Sequence, residues 1–352
     1  MPKIKRVWFL AILVSSISVS GQIKTGAGNS QEGNTLVTGV EFFGYGGLDI
    51  AKLRNNLPVR EGQSFPSPES LYGMKAKIEE AVKLETGRPA TDVAGIGVGG
   101  NRYVIYIGLS GTSSKKFSYN AAPEGKSRLP EAAVSIYQRE VEAFVKGMQK
   151  GALSEDDSRG YALFGDPEVR AIQVAMHEYA GQHEKEIREV LRTSQDNDQR
   201  EIAAQLLGYA NQSAGQITDL VWASHDPNEL VRNNATRALA VLARSDQKIA
   251  GRIPSGGFVE MLNSGTWSDR NKGAFVLVEL SKGSDRQVLE AMRSRAFDSL
   301  VEMARWRSIH AIDYRMLLGR IGGIDETKLQ ELAKADDQVE EIIAAARRKK
   351  VD

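Results

Sequence analysis

Two stretches of the sequence combine residue types and spacings that could do chemistry. Residues 95–100 (GIGVGG) match G-x-G-x-x-G, a pattern that holds a dinucleotide pyrophosphate when its last glycine opens a helix. The residues that follow, 102–109 (RYVIYIGL), have the β-branched and aromatic content of a strand, so the match predicts no nucleotide site. Residues 177–183 (HEYAGQH) are close to the zinc-binding pattern H-E-x-x-H. Because their histidines are separated by about 600° of helical rotation, they cannot face one metal ion.

Side chains that usually carry catalysis or metal binding are scarce elsewhere. The sequence has no Cys and only four His, which excludes disulfides, thiolate nucleophiles and zinc–cysteine sites. The adjacent carboxylates Glu155, Asp156 and Asp157 are more typical of a helix N-terminus, where negative charge is favourable, than of a metal site. No nucleophile is flanked by a histidine at a suggestive spacing, although a triad assembled from distant residues stays open. We therefore predict no catalytic residue, cofactor or metal.

The strongest recurring feature is an arginine that returns at intervals of 30, 32 and 38 residues. Four residues before each arginine lies a residue type that favours a helix N-cap. These structural positions are Asp166, Arg170, Asp196, Arg200, Asn228, Arg232, Thr266 and Arg270. Shorter amphipathic segments lie between them, at residues 184–191, 217–223, 257–262 and 286–292. A helix pair every 30 to 38 residues predicts a stack of helical repeats.

Two of these segments resemble the short bacterial HEAT repeat, which also occurs in chromophore (PBS) lyases. The residues that carry the resemblance are Asp166-Pro167-x-Val169-Arg170 and Asp226-Pro227-x-x-x-Val231-Arg232. The resemblance implies an α-solenoid over residues 166–345, followed by a basic tail at 346–352. It also implies that the arginines stack along one line and pair with acids of the same or preceding repeat, of which the nearest are Asp166, Asp196 and Asp226. Alternatively, a row of guanidinium groups could bind anions.

Residues 35–111 predict a small α+β module with the order strand, helix, helix, strand, strand. The strands are residues 35–43, 91–98 and 103–109, and the helices are 48–57 and a longer one that Ser67 or Ser70 caps. This order, with Gly62-Gln63-Ser64-Phe65 between the helices, resembles the POTRA module of bacterial outer-membrane assembly proteins. The resemblance implies sheet edges to which an extended peptide could add a strand.

A connecting segment at residues 112–165 separates the module from the repeats, and residues 131–148 within it predict one helix. The predicted fold class is therefore an α+β N-terminal module (β-α-α-β-β) followed by an all-α, HEAT-like α-solenoid, mainly α in total. Because composition and periodicity change sharply at this segment, we expect residues 30–115 and 125–352 each to fold alone.

The N-terminus predicts export. Residues 3–6, 7–14 (VWFLAILV) and 15–20 are in turn positive, apolar and mostly small, as in a secretory signal. A membrane anchor is the alternative, but an anchor needs about 20 apolar residues, which this segment does not supply. The predictions are a signal peptide at residues 1–20 and a flexible linker at 21–34. We expect no membrane-spanning segment in the mature chain and a periplasmic, or else secreted, location.

The charge balance and the repeats together indicate a class of function. With 46 Lys+Arg against 45 Asp+Glu, no basic excess is left to attract nucleic acid. Stacked repeats form extended concave surfaces for partners, so the hypothesis is a non-enzymatic scaffold of the cell envelope that binds another protein or peptide on its concave face and on a sheet edge. The candidate partner-binding residues are Trp222, His225, Trp267 and Trp306, although apolar packing is the commoner fate of such side chains. The alternative is an enzyme, a hydrolase or lyase with its site in the solenoid groove.

Overall fold

The computed structural model describes residues 34–149, 154–283 and 285–349. The predicted signal peptide, the predicted linker except Asn34, and the end of the basic tail lie outside these residues. Within them the chain forms a small α+β module followed by stacked helices, as the sequence predicted. None of the described helices combines the length and the apolar character that crossing a bilayer requires.

The small module has one short strand more than the sequence predicted. Its strands are β1 (Thr35–Phe43), β2 (Ser64–Phe65), β3 (Asp92–Gly97) and β4 (Arg102–Gly108), and its helices are α1 (Ile50–Asn56), α2 (Pro68–Tyr72) and α3 (Lys75–Thr86). The sheet order is β2-β1-β4-β3, with β1 and β4 parallel and the other pairs antiparallel. Ser67 caps α2, but the chain turns at Gly73 and Met74, so the predicted longer helix is two helices.

Both faces of this sheet are buried, because the side chains of β4 alternate between two cores. Tyr103, Ile105 and Ile107 join the core that includes Leu53 of α1 and Ile78 of α3. Their neighbours on β4, Val104 and Tyr106, point the other way and belong to the core of the helical part. The module is therefore docked on the helices through one face of its sheet.

The rest of the chain is a succession of packed helices that a two-stranded hairpin interrupts. The bounds are α4 (Glu131–Gln149), β5 (Glu155–Asp156), β6 (Leu163–Phe164), α5 (Pro167–Thr193), α6 (Asn197–Leu207), α7 (Ala214–Ala223), α8 (Glu229–Ser245), α9 (Gln247–Ala250), α10 (Gly256–Met261), α11 (Trp267–Leu280), α12 (Arg286–Ala304), α13 (Ala311–Gly322), α14 (Glu326–Leu332) and α15 (Val339–Arg348). α5 leaves helical geometry at His183, so its two parts correspond to the predicted pair of helices. α12 is much longer than the predicted segment 286–292.

The arginine-bearing helices pack side by side in chain order: α5 on α6, α6 on α8, α8 on α11 and α11 on α13. α11 is buried on nearly every side, because α8, α10, α13 and the edge of the sheet surround it. It therefore joins the small module to the stack.

Candidate functional site

A continuous row of polar contacts joins the recurring arginines of three successive repeats. Arg200 of α6 is fully buried and donates from Nε and Nη2 to the two carboxylate oxygens of Asp226, at 2.8 and 2.9 Å. The backbone carbonyl of Asp226 accepts from Nη1 of Arg232 at 2.9 Å. Arg232 of α8 donates to both oxygens of Asp269, at 2.8 and 3.2 Å. We call this row, together with Arg270, the arginine ladder.

Arg270 of α11 ends the ladder without a closely bonded carboxylate. Its Nε donates to the carbonyl of Ser264 at 2.6 Å and its Nη2 to the carbonyl of Ser113 at 2.9 Å, whereas the Glu302 carboxylate lies 4.0 Å away. Burial therefore lowers the pKa of Arg270 to about 10, which the charge of Glu302 offsets only in part. The Ser264 hydroxyl links Arg270 to the rest of the ladder, since it donates to Asp269 at 2.7 Å.

The predicted direction of pairing is wrong. The resemblance implied acids of the same or preceding repeat, but Arg200 and Arg232 bond to Asp226 and Asp269, which follow them in the chain. Arg170 lies outside the ladder and pairs at 3.0 Å with Asp156 of the hairpin, where both side chains are about 40% exposed. Asp226, one of the three candidate acids, does bond to a ladder arginine through its carboxylate, but that arginine is Arg200 of the preceding repeat. Asp269 is not among the candidates.

The four predicted N-cap residues do stand at helix starts. Asp166, Asp196 and Asn228 each accept two backbone N–H groups of the first turn, in α5, α6 and α8. Thr266 occupies the same place before α11, but its side chain makes no capping bond. Oδ1 of Asp166 and Oδ1 of Asp196 are thus directed to the first turns of α5 and α6, and Oδ2 of Asp196 pairs with Arg128 at 3.1 Å.

An extended stretch of the connecting segment, residues 111–129, runs along the loops that precede the ladder helices. We call this stretch the strap. Its backbone bonds to three successive loops: Lys115 N–H to the Asn263 carbonyl before α11 at 2.8 Å, Asn120 N–H to the His225 carbonyl before α8 at 2.7 Å, and the Gly125 carbonyl to Gln195 N–H before α6 at 2.7 Å. The bonded strap residues are five positions apart, so the strap meets one repeat after another.

Two aromatic side chains of the strap contact predicted site residues. The ring of Phe117 stacks on His225, with centroids 5.1 Å apart and planes at 26°. The ring of Tyr119 lies 4.4 Å from the guanidinium carbon of Arg232, within the range of a cation–π contact. Trp222 accepts at its carbonyl from the Asn120 side chain at 2.8 Å, and its own ring lies under Arg192. Trp222 and His225 therefore lie together, and both already contact the protein's own chain.

The structure places Trp267 and Trp306 in the interior, where they hold the small module. Both are almost fully buried and pack against Tyr106 of β4, with ring centroids 5.1 and 4.8 Å away. Trp306 donates from its indole to the Phe42 carbonyl at 2.8 Å, and the backbone N–H of Trp267 donates to Asp92 at 2.9 Å. Neither tryptophan is exposed to a partner; both fill the junction between the sheet and the helices.

Glu302 of α12 fixes the same junction from the other side. Its carboxylate accepts from the backbone N–H of Gly44 at 2.8 Å and from the Ser113 hydroxyl at 2.5 Å. Gly44 has a φ of +69°, a left-handed conformation that favours glycine. A side chain at Gly44 would also meet the Leu109 carbonyl, so the turn after β1 depends on this residue.

The hairpin β5–β6 lies beside α6 and α8, and charged pairs link it to α8. Arg237 pairs with Glu155, and Arg244 bonds to Asp157 at 2.7 Å and to Glu279 of α11 at 2.9 Å. Beside these pairs, between α6 and α8, is a recess lined in part by Gln205, Tyr209, Asn234 and Arg237. Its volume is about 10 Å³, which accommodates about one water molecule.

Lys272 of α11 is a buried amine near Arg237 and Glu155. It is 1% exposed, and its Nζ has no hydrogen-bond partner within the described ranges. Burial and repulsion from Arg237 lower the pKa of Lys272 well below its ordinary value, against the opposing charges of Asp313 and Glu155. Burial also raises the pKa of Asp313 to about 6. Such perturbed groups are typical of functional sites but also of structural networks.

One edge of the sheet is β3. The pairing of β3 with β4, with the bond from Val98 N–H to the Arg102 carbonyl, directs the backbone groups of Val93, Gly95 and Gly97 away from β4. The hydroxyl of Tyr72 lies 3.5 Å from the Gly95 carbonyl and covers part of this edge. Val93 and Gly97 are buried and Gly95 is half-buried, so only the middle of this edge is accessible.

The two histidines of the HEYAGQH segment are separated, as the spacing predicted. His177 bonds through Nδ1 to the Tyr209 carbonyl at 2.7 Å, whereas His183, at the bend of α5, stacks on Tyr179. In the part of the chain that the structure describes, no group of three or more His, Asp or Glu side chains is arranged to hold a metal ion.

Comparisons with known proteins give little further information. No family model and no curated protein matches the chain. Among solved structures it is similar to an engineered protein (17% identity, 52% of this chain and 90% of that one, TM-score 0.38) and to a designed armadillo repeat protein in complex with the peptide (KR)4 (15%, 52% and 94%, 0.36). It is also similar to computationally designed armadillo repeat proteins for modular peptide recognition (16%, 52% and 93%, 0.37). At these TM-scores the likeness carries no argument, so the repeat architecture rests on the helices and the ladder described above.

Proposed function

We propose that the chain is an exported, non-enzymatic scaffold of the bacterial cell envelope, located in the periplasm, that binds another protein or peptide. In this proposal the small module is POTRA-like and the stacked helices are HEAT-type repeats. Export rests on the sequence of residues 1–20, and N-terminal sequencing of the mature protein tests it: we expect a start within about two residues of Gly21. An intact Met1 on membrane-bound protein would contradict this part of the proposal.

The observation that carries the binding function is the strap. The helical stack holds an extended segment by backbone hydrogen bonds at the loops before α6, α8 and α11. Repeat proteins bind extended partners in this way, by presenting the same loop or helix position once per repeat. A stack that already accepts residues 115–125 of its own chain at three successive loops has the spacing of backbone groups that a partner segment requires.

The contact surfaces that we propose are the recess between α6 and α8, as the concave face, and the edge of β3. The recess is bordered by the amides of Gln205 and Asn234 and by the guanidinium of Arg237, which is paired with Glu155. The edge offers the outward backbone groups of Gly95, which is half-buried. Both surfaces favour polar and backbone contacts, which are typical of transient partners.

Site-specific photo-crosslinking in the native cell envelope tests these surfaces. A photoreactive amino acid replaces Gln205 or Val98, and in a matched control it replaces Lys248, which is exposed at α9. We expect discrete crosslinked bands from Gln205 or Val98 and none from Lys248. Bands of equal strength from all three positions, or none from Gln205 and Val98 in a folded, exported protein, would contradict the proposal.

The alternative function, an enzyme with its site in the groove, is favoured by one observation: the unpartnered amine of Lys272. A neutral amine condenses with a carbonyl compound to an imine with loss of water. Incubation with pyruvate or glycolaldehyde, followed by borohydride and mass spectrometry, tests this function, with Lys272→Met as the control. A reduced adduct at Lys272 would support the enzyme, and unmodified Lys272 beside modified surface lysines would argue against it.

A further inference from the structure

The strap is bound as a ligand would be, although it is part of the chain. Of its residues, Ser113, Phe117 and Leu129 are buried, while the others are half-buried or exposed. Its two ends are held by further bonds, from Arg270 to the Ser113 carbonyl at 2.9 Å and from Leu129 N–H to Gln199 at 2.7 Å. Between these ends, backbone bonds to three loops provide most of the attachment. Segments with few buried apolar contacts open at a much lower free energy than packed helices do. Residues 115–125, between the buried ends of the strap at Ser113 and Leu129, can thus leave the loops while the stack stays folded.

The middle of the strap concentrates the side-chain contacts in four consecutive residues, Phe117, Ser118, Tyr119 and Asn120. The Phe117 ring is 4% exposed and stacks on His225. Asn120 makes two bonds to the loop before α8, from its backbone N–H to the His225 carbonyl and from its side chain to the Trp222 carbonyl. The ring of Tyr119 covers Arg232. Ser118 is exposed, so the strap residues that contact this loop and Arg232 have the pattern Phe-x-Tyr-Asn.

Charge contributes little to the binding of the strap. Its Arg128 pairs with Asp196 before α6 at 3.1 Å, but the Arg128 side chain is 65% exposed and such a surface pair is weak. The guanidinium groups of Arg200 and Arg232 are already bonded to Asp226 and Asp269, so an acidic segment would gain no free cation. Arg270 bonds to the Ser264 carbonyl, which also belongs to the chain itself. The loop before α8 instead offers backbone carbonyls as acceptors, the flat ring of His225 and the covered face of a guanidinium. These groups fit an extended segment with two aromatic residues and an amide.

We propose that the loops before α6, α8 and α11 are a binding site for an extended peptide of a partner protein with the pattern Phe-x-Tyr-Asn, and that the strap occupies this site when no partner is bound. The inference deepens the proposed scaffold function and rests on it. The tethered strap competes at an effective concentration on the order of millimolar. A partner peptide therefore binds only when its own contacts exceed those of the strap or when the strap is weakened.

A fluorescein-labelled peptide of residues 111–129 tests the proposal against the full chain by fluorescence anisotropy. The strap of the chain is weakened by Phe117→Ala with Asn120→Ala, and Asn120→Ala alone serves as a milder variant if the first unfolds. We expect the labelled peptide to bind the weakened chain at least about tenfold more tightly than the wild-type chain, the factor that corresponds to about 1.4 kcal/mol. His225→Ala in the weakened chain, or Phe117→Ala in the peptide, should remove the binding.

Three results would overturn the inference. They are no binding to a weakened chain whose circular dichroism is native, equal binding to the wild-type and weakened chains, and binding that survives both His225→Ala and the altered peptide. Because the probe is a segment of the chain itself, the experiment needs no native partner. A negative result here with crosslinks from Gln205 in the envelope would remove the strap site and leave the scaffold function in place.

Discussion

Replacement of Arg232 by Ala should destabilise the protein strongly, and replacement of Arg170 should not. The two arginines occupy equivalent places in the sequence pattern, but their surroundings differ. Arg232 is 3% exposed and bonds to both oxygens of Asp269 and to the carbonyl of Asp226. Arg170 makes one bond to Asp156, with both side chains about 40% exposed. The pair of variants therefore compares a buried ion pair with a surface ion pair.

The expected loss of unfolding free energy depends on the carboxylate that each substitution leaves without its arginine. The Asp269 carboxylate is 2% exposed in the structure, and without Arg232 it would keep the bond from the Ser264 hydroxyl, at 2.7 Å. Removing one partner of a buried ion pair costs about 3–5 kcal/mol, because the other charge is left without compensation. An exposed pair contributes about 0–1 kcal/mol. We expect losses in unfolding free energy of about 3–5 kcal/mol for Arg232→Ala and less than about 1 kcal/mol for Arg170→Ala.

Urea unfolding followed by far-UV circular dichroism measures both losses under the same conditions. The double variant with Asp269→Ala should recover part of the loss caused by Arg232→Ala, since the unpaired carboxylate is then absent. Equal losses for Arg170→Ala and Arg232→Ala would refute the reasoning. So would a double variant that is destabilised by the full sum of the two single changes.

Three further predictions concern the junction of the sheet and the helices. Trp306→Phe leaves the buried Phe42 carbonyl without its donor and should lower the melting temperature through a loss of about 1–3 kcal/mol. Burial raises the pKa of Glu41 to about 7, so the folded state keeps a proton that the unfolded chain has lost. Unfolding free energy should therefore fall by about 1 kcal/mol from pH 6.5 to 8, and Glu41→Gln should remove most of this fall; an unchanged fall would contradict the assignment. A fragment of residues 30–115 should bind the dye ANS through the sheet face that the helices normally cover, and adding residues 125–352 should suppress the fluorescence. A fragment that binds no ANS would contradict the prediction that this apolar face is exposed without the helices.

The repeats could be predicted from the sequence because their signals are local. An N-cap such as Asp196 or Asn228 acts on the first turn of its own helix, so its meaning does not depend on the rest of the fold. The arginine four residues later falls in the same helix. The start of each ladder helix could thus be placed to within a residue or two.

The partners of the arginines could not be predicted, because they come from elsewhere in the chain. Arg315 of α13 illustrates the limit. It is buried and donates to the carbonyls of Ala304 and Trp306 and to Asp336 at 2.8 Å, much as the ladder arginines do. It follows Arg270 by 45 residues, and its helix begins after His310, which makes no capping bond. Neither the interval nor the cap therefore identifies it.

One feature of the sequence indicates that the sheet of the small module is covered on both faces. Residues 103–107 (YVIYI) are apolar without alternation, which is typical of a strand that is buried on both faces. A module with a free sheet face would show polar residues at every second position. This run indicates a second cover for the sheet, but the identity of that cover, α11 with Trp267 and the turn that carries Trp306, depends on contacts between residues some 160 to 200 positions apart.

The arginine ladder and the strap together indicate which groups of the molecule can distinguish one extended peptide from another. A row of buried arginines, each bonded to acids or carbonyls of its own chain, stabilises the stack but offers no free charge to a partner. What the stack does present at each repeat is a loop with a backbone group that bonds to the strap: the carbonyls of Asn263 and His225 before α11 and α8, and the N–H of Gln195 before α6. Backbone groups alone do not distinguish one extended segment from another, so selectivity must come from the side chains beside them, here the ring of His225 and the covered face of Arg232. Among the three loops that the strap meets, the loop before α8 combines these two side chains with two bonds to one asparagine. We therefore expect this repeat to contribute most to the selection of a partner peptide.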